Sequence, residues 1–152
     1  MNILDPVKSI MTTNLLTVTT GDKLTAVKEI FDNHRVHHIP VVRYKELVGI
    51  ISKTDFLHFL RGFNRNAEDE FVNEARMRAY KVEDIMTKGI AKLAPEDRIN
   101  VALEIFLENR FHAIPVVNAA GELEGLLTTF DIIKTLAQTP VSPEDILESR
   151  KH

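Results

Sequence analysis

The chain has no cysteine among its 152 residues. Disulfides and thiolate-ligated metals are thereby excluded. No apolar run approaches the roughly 18 residues that a bilayer-spanning helix requires. The opening Met1-Asn2-Ile3-Leu4-Asp5-Pro6 lacks the basic flank and apolar stretch of a signal peptide, so the expected location is cytoplasmic. An excess of positive charge is missing too. The formal net charge is −3 and no basic stripe runs through the chain, so neither nucleic acid nor an anionic membrane is an expected partner. There is no glycine-rich phosphate loop and no evident nucleophile–base pair, which argues against an enzyme. What is present, 44% hydrophobic and 27% charged residues, is ordinary for a soluble globular protein.

One stretch dominates the pattern because it occurs twice. His37-His38-Ile39-Pro40-Val41-Val42 leads to Gly49-Ile50-Ile51-Ser52-Lys53-Thr54-Asp55. His112-Ala113-Ile114-Pro115-Val116-Val117 leads to Gly125-Leu126-Leu127-Thr128-Thr129-Phe130-Asp131. Upstream, Val7-x-x-Ile10-Met11-Thr12 matches Val82-x-x-Ile85-Met86-Thr87, and one residue is inserted in the second copy near Gly121. Over 46 aligned positions (7–42 and 46–55) there are 18 identities. Roughly three would arise by chance, so the chain is an internal duplication. Each copy is too small to bury enough surface alone. The two copies are therefore expected to share one globular module.

Leu15 to Val18 reads as a short strand, being apolar and β-branched. Thr20-Gly21-Asp22 opens a helix in which Leu24, Val27, Ile30 and Phe31 fall at helical spacing, with Asp22 suited to its first turn. Ile39–Val42 and Leu47–Ile51 form a hairpin across a polar turn, and a second helix runs from Ser52 to about Arg61. The second copy repeats this order, with a strand at Lys92–Ala94, a helix opened by Pro95-Glu96-Asp97, a hairpin, and a closing helix over Phe130–Leu136. Right-handed crossover places both helices of a copy on one face of a small sheet. The expected organisation is a repeat over 1–62, a linking helix over 63–80, a second repeat over 81–138 and a tail over 139–152. In the linker, acids precede bases as a solvated helix prefers, and Phe71, Ala75 and Met77 are expected to pack on one side. Pro6 suits a first helical position. Ser142-Pro143-Glu144-Asp145 has the form of a cap for a short terminal helix.

The polar residues of the repeated stretch carry the chemistry. A carboxylate accepts two hydrogen bonds at once, which suits the adjacent hydroxyls of a ribose. A neighbouring hydroxyl and the free N–H groups of a helix start suit phosphate. Arginine and protonated histidine add charge-assisted bonds worth roughly 1.5–3 kcal/mol each. Plainer roles fit the same residues. Ser52-x-x-Asp55 and Thr128-x-x-Asp131 also have the spacing of a capping box. Arg35 and Arg110 also read as solvated charges after a helix, His112 as a surface histidine, and Pro40 and Pro115 as residues that bend an edge strand. His37 and His38 alternate strand faces, so even with His34 nearby they are poor joint metal ligands, and no metal site is expected.

The duplicated unit resembles the cystathionine-β-synthase (CBS) domain, and the tandem resembles the pair called a Bateman module. The residues that carry the resemblance are the two Ile-Met-Thr starts, the two His-x-Ile-Pro-Val-Val strands and the two Gly-x-x-Ser/Thr-x-x-Asp closings. The resemblance implies an α/β (α+β) fold of two β-α-β-β-α repeats packed with pseudo-two-fold symmetry, and adenosine-containing ligands held in clefts between the copies. One implied cleft combines Thr128 and Asp131 with Thr12, Leu16, Arg35, His37, His38 and Pro40. The other combines Ser52 and Asp55 with Thr87, Ala91, Arg110, His112, Ala113 and Pro115. Phosphate is expected to favour the first, which has the extra imidazole, and to bind more tightly as pH falls from 8 towards 6 if His37 or His38 meets it as imidazolium.

The function implied is a free-standing regulatory sensor of an adenosine nucleotide, with AMP, ADP or ATP as a regulatory ligand and no required cofactor. Its output would pass to an effector protein whose identity is unknown. The alternatives are a ligand-free dimerisation or scaffold module, and a sensor of S-adenosylmethionine or a cyclic dinucleotide. Homodimerisation is expected through the helices, because Phe56, Leu57, Phe59, Leu60 and Phe63, and in the second copy Phe130, Ile132, Ile133 and Leu136, exceed what one sheet can cover. The competing arrangement has the linker folding back over these residues.

Overall fold

A computed structural model describes residues 1–61 and 70–140. The expectations for Phe63 and for a helix at 142–145 lie outside the described residues. The first repeat contains β1 (Val18–Thr19), α1 (Leu24–Asn33), β2 (His38–Arg43), β3 (Glu46–Ser52) and α2 (Lys53–Arg61). Helix α3 (Glu70–Ala79) leads into a one-turn α4 (Val82–Ile85). The second repeat contains α5 (Ile99–Asn109), β4 (Ala113–Val117), β5 (Leu123–Thr128) and α6 (Thr129–Gln138). The β-branched runs form the hairpins: β2 pairs antiparallel with β3, and β4 with β5. Strand β1 joins β2 in parallel, as the crossover predicts.

Four sequence expectations are corrected here, the first being the strand read at Leu15–Val18, which is found at Val18–Thr19. The first strand of the second copy, expected at Lys92–Ala94, is reduced to a single parallel bridge between Leu93 and Val116. Asp22 does not enter the first turn of α1. Its carboxylate accepts a hydrogen bond from Thr19 N (2.7 Å), and helix begins only at Leu24. Asp97 does the same for Ala94 N (2.7 Å) in the second copy. An aspartate here has backbone N–H groups within reach in the turn, and the local bond wins over the helix dipole. Pro6 likewise sits just before its 3-10 turn at Val7–Ser9, in extended conformation.

The repeats are joined by an exchange of their leading segments. Val7 is fully buried in the core of the second repeat, with Ile99, Ala102, Ile114 and Leu127. Val82 is fully buried in the core of the first, with Leu24, Val27, Ile39 and Ile51. Equivalent backbone bonds fix both segments: Val7 N donates to Asp97 O (2.7 Å) and Val82 N to Asp22 O (2.8 Å). Each valine removed from water contributes about 1.5–2 kcal/mol, so each core is completed by chain from the other copy's front end.

The exchange also accounts for two glycines of the motif. Thr12 bridges Leu126, and Thr87 bridges Ile50, so each Ile-Met-Thr runs beside the other repeat's hairpin. A Cβ on Gly49 would lie 2.7 Å from Met86 Sδ and 3.0 Å from the Thr87 carbonyl oxygen, and one on Gly125 would overlap Met11. A side chain at Gly49 would press on the Thr87 backbone, and one at Gly125 would have to displace the Met11 side chain. At their tips the hairpins pair again, with Leu47 N donating to Gly121 O (3.1 Å) and Leu123 N to Lys45 O (3.0 Å).

Helix α3 packs on α1. Met77 is buried in the first core, and the Tyr80 ring meets Phe59 edge-on at 5.1 Å. Phe71 and Ala75, expected to pack, are exposed. The described part of the linker thus packs on the first repeat through Met77 and Tyr80, while Leu57 of α2 stays 41% exposed. On the second repeat, Leu107 of α5 is 82% exposed, and Phe130 and Ile133 of α6 are 69% and 62% exposed.

Candidate functional site

Where β3 passes into α2, the Ser52 side chain accepts a hydrogen bond from Asp55 N (3.0 Å). This is half of a capping box. The Asp55 carboxylate makes no return bond and stays exposed. The strand-to-helix corner is held from the other side by Lys53 N, which donates to His37 O (2.8 Å). Ser52 and Asp55 open on a cavity of about 320 Å³ between the two repeats. Every other residue that the sequence grouped with Asp55 lines it: Thr87, Ala91, Arg110, His112, Ala113 and Pro115.

Four further residues complete the wall. His38 was grouped by sequence with the Asp131 cleft, and the structure places it here, opposite Ser52 in the β2–β3 pair. Burial holds its imidazole below the usual histidine pKa. His112 and His37 push it the same way, and Asp55 opposes them. Ile50, Ile90 and Phe111 were not anticipated. Ile50 had a signal, being within the repeated stretch, whereas Ile90 and Phe111 differ from their aligned partners Leu15 and Val36 and had none. The cavity therefore has an apolar part and a part with one carboxylate, one guanidinium and two imidazoles. That combination suits an anionic ligand with an apolar body and neighbouring hydroxyls.

The equivalent corner of the second repeat is arranged differently. Asp131 is only 8% exposed. Its Oδ2 accepts from Thr128 N (2.8 Å) and Thr128 Oγ1 (2.6 Å), its Oδ1 accepts from Thr12 Oγ1 (3.0 Å), and Asp131 N donates to Thr128 Oγ1 (3.1 Å). The full capping box forms, and Thr12 ties the leading segment to it. The structure thus brings Thr12, Thr128 and Asp131 together. Leu16, Arg35 and His37 are exposed, and no hydrogen bond or ion pair links them to that network. Pro40 is buried in β2, opposite Ile50. A separate open cavity of about 330 Å³ lies at the hairpin tips beside Tyr44, Lys45 and Glu122. Among the described residues no three His, Asp or Glu side chains are gathered to hold a metal, and no helix is long and apolar enough to cross a membrane.

Comparison with known proteins adds three findings. The family model for the CBS domain matches residues 7–62 and 82–138. The crystal structure of CBSX2 in complex with AMP, a CBS-pair protein of Arabidopsis thaliana, superposes with a TM-score of 0.73 at 26% identity, over 88% of this chain and 97% of that one. Uncharacterized protein MJ1225 of Methanocaldococcus jannaschii is 27% identical over 84% of this chain, and the gamma-3 subunit of 5′-AMP-activated protein kinase from Bos taurus is 26% identical over 87%. This chain spans only 45% and 27% of those two relatives. Inosine-5′-monophosphate dehydrogenases, such as that of Thermoplasma acidophilum, match over 22% of their length.

Proposed function

The chain belongs to the CBS domain family, and from that premise we propose that it is a regulatory module binding an adenosine nucleotide in the Asp55 cavity. One observation carries the reading: an exposed carboxylate without a hydrogen-bond partner shares a cavity between the repeats with Arg110, His112 and His38. Asp55 accepts from the ribose 2′ and 3′ hydroxyls. The Arg110 guanidinium and the two imidazoles receive phosphate. The AMP held by the related CBSX2 supports adenosine chemistry for the ligand.

The ligand contacts residues of both repeats, so it favours whichever packing of the repeats brings Ser52 and Asp55 closest to Arg110 and His112. Occupancy is thereby converted into a change of relative packing that an effector protein can read. The scaffold alternative is favoured at the other cleft, where Thr12 and Thr128 already engage Asp131. We assign one nucleotide per chain on that basis.

The bare apolar face of α5 and α6 is proposed to pair with the same face of a second copy in a two-fold dimer. The aligned positions of the first repeat are Asp32, Thr54 and Leu57, all exposed, so the matching patch there is largely polar.

Titration calorimetry with AMP, ADP, ATP and S-adenosylmethionine tests the binding reading. Saturable binding of an adenosine nucleotide at one site per chain is the expected result. Silence across the panel would leave the module a scaffold.

A further inference from the structure

Phe111 stands on the cavity wall, 40% exposed, one residue before His112. Its counterpart in the first repeat, Val36, is half-buried and packs on the first core. The difference has a backbone origin. Helix α5 runs to Asn109 and ends on Arg110 in the left-handed conformation (φ 53°, ψ 30°). Helix α1 stops one aligned position earlier, at Asn33, and the following His34 is extended (φ −133°, ψ 146°). A left-handed conformation is unfavourable for arginine, which has a Cβ. A left-handed residue is also a common way to end a helix. Here the turn delivers Arg110, Phe111 and His112 to one cavity wall.

A phenyl ring left exposed on a concave wall is apolar surface awaiting a partner. Ile50, Ile90 and Pro115 line the same cavity, while the polar groups that suit ribose and phosphate are Asp55, Ser52, Arg110 and the histidines. The remaining component of a nucleotide is its flat heterocycle. Stacking of a base on an aromatic side chain is tolerant of base identity and is commonly reduced tenfold or more by truncation to alanine. We propose that Phe111 is the specificity-determining residue of this cavity: it stacks on the heterocyclic base, so the site selects nucleotides over sugar phosphates. The inference rests on the reading of the Asp55 cavity as a nucleotide site.

The test uses the full chain with AMP and with ribose 5-phosphate as a competitor. Phe111→Ala should weaken AMP about tenfold and leave ribose 5-phosphate within twofold. Because the side chain is exposed, its thermal unfolding should stay near the parent's. The chain has no tryptophan, so Phe111→Trp introduces a single reporter. It should retain AMP affinity, and its emission should be quenched saturably by AMP and not by ribose 5-phosphate. Equal AMP affinity in the parent and Phe111→Ala, or equal losses for both ligands, overturns the stacking role. Asp55→Ala separates the two levels. If it loses AMP while Phe111→Ala keeps it, the stacking role alone fails; if it binds AMP like the parent, the cavity reading fails and the inference with it.

Discussion

The two repeats carry the same closing motif and use it differently. In the second, the hydroxyl and the acid of Thr128-x-x-Asp131 complete a capping box, and Thr12 takes the remaining carboxylate oxygen. In the first, Ser52 caps the helix but Asp55 does not bond back. The motif is therefore a helix cap in both repeats, and only in the first is the acid left over, which is where the proposed ligand site lies. The helical faces differ as well: α3 packs on α1 of the first repeat, while Leu107, Phe130 and Ile133 leave an apolar patch on the second. The duplicated surfaces have diverged, since the positions aligned with Leu107 and Phe130 are Asp32 and Thr54 in the first repeat. Across the pair, the Asp131 corner is engaged by Thr128 and by Thr12 of the leading segment, while the Asp55 corner leaves its acid exposed.

The largest expected effect tests the helical faces. Ile133→Glu should weaken the dimer at least hundredfold, because it places an unpaired charge in an apolar contact. Leu57→Glu on α2 should leave the dimer intact. Sedimentation equilibrium at micromolar concentration distinguishes them, and dissociation by Leu57→Glu would mean that both repeats take part.

The clefts are compared by parallel alanine variants. Asp131→Ala removes a buried, fully bonded acid and should cost about 2 kcal/mol of stability, with nucleotide affinity unchanged within twofold. Asp55→Ala should do the opposite, weakening nucleotide about tenfold with stability within about 0.5 kcal/mol of the parent. Chemical denaturation and calorimetry on both variants check the pair. Loss of affinity in Asp131→Ala would restore the second cleft as a binding site.

A smaller effect concerns His38, whose pKa is lowered chiefly by burial. A histidine with a depressed folded-state pKa binds fewer protons folded than unfolded. The ligand-free protein should therefore lose stability as pH falls through about 6.5, the unfolded value, towards the lower folded one. A bound phosphate draws the proton back, so nucleotide affinity should rise about threefold from pH 8 to pH 6. His38→Gln should flatten both profiles. An unchanged affinity profile in His38→Gln would place the proton on another group.

Much of the fold was legible because duplication and hydrophobic period are local properties. The strand pairs at Ile39–Val42 with Leu47–Ile51, and the helices carrying Leu24, Val27 and Phe31, follow from spacing alone. The turn aspartates were misplaced because a side-chain bond to the backbone competes with the helix within three residues, and spacing does not say which prevails. The grouping of Asp55 with Thr87, Arg110 and His112 was also legible, through the family resemblance. Phe111 was not singled out, since an aromatic beside a strand reads as core until the left-handed Arg110 at the end of α5 places it on the wall.

Sequence by itself determined that there are two copies, that Leu24, Val27 and Phe31 face a core, and that the Ser/Thr-x-x-Asp corners start helices. It did so because these depend on residues a few positions apart. Tertiary structure alone decided that Val7 and Val82 exchange cores, that Thr12 reaches Asp131, that His38 lines the Asp55 cavity, and that α3 packs on the first repeat. Each of these joins groups far apart in the chain. Two nearly identical motifs can therefore differ in function through what the rest of the chain places against them.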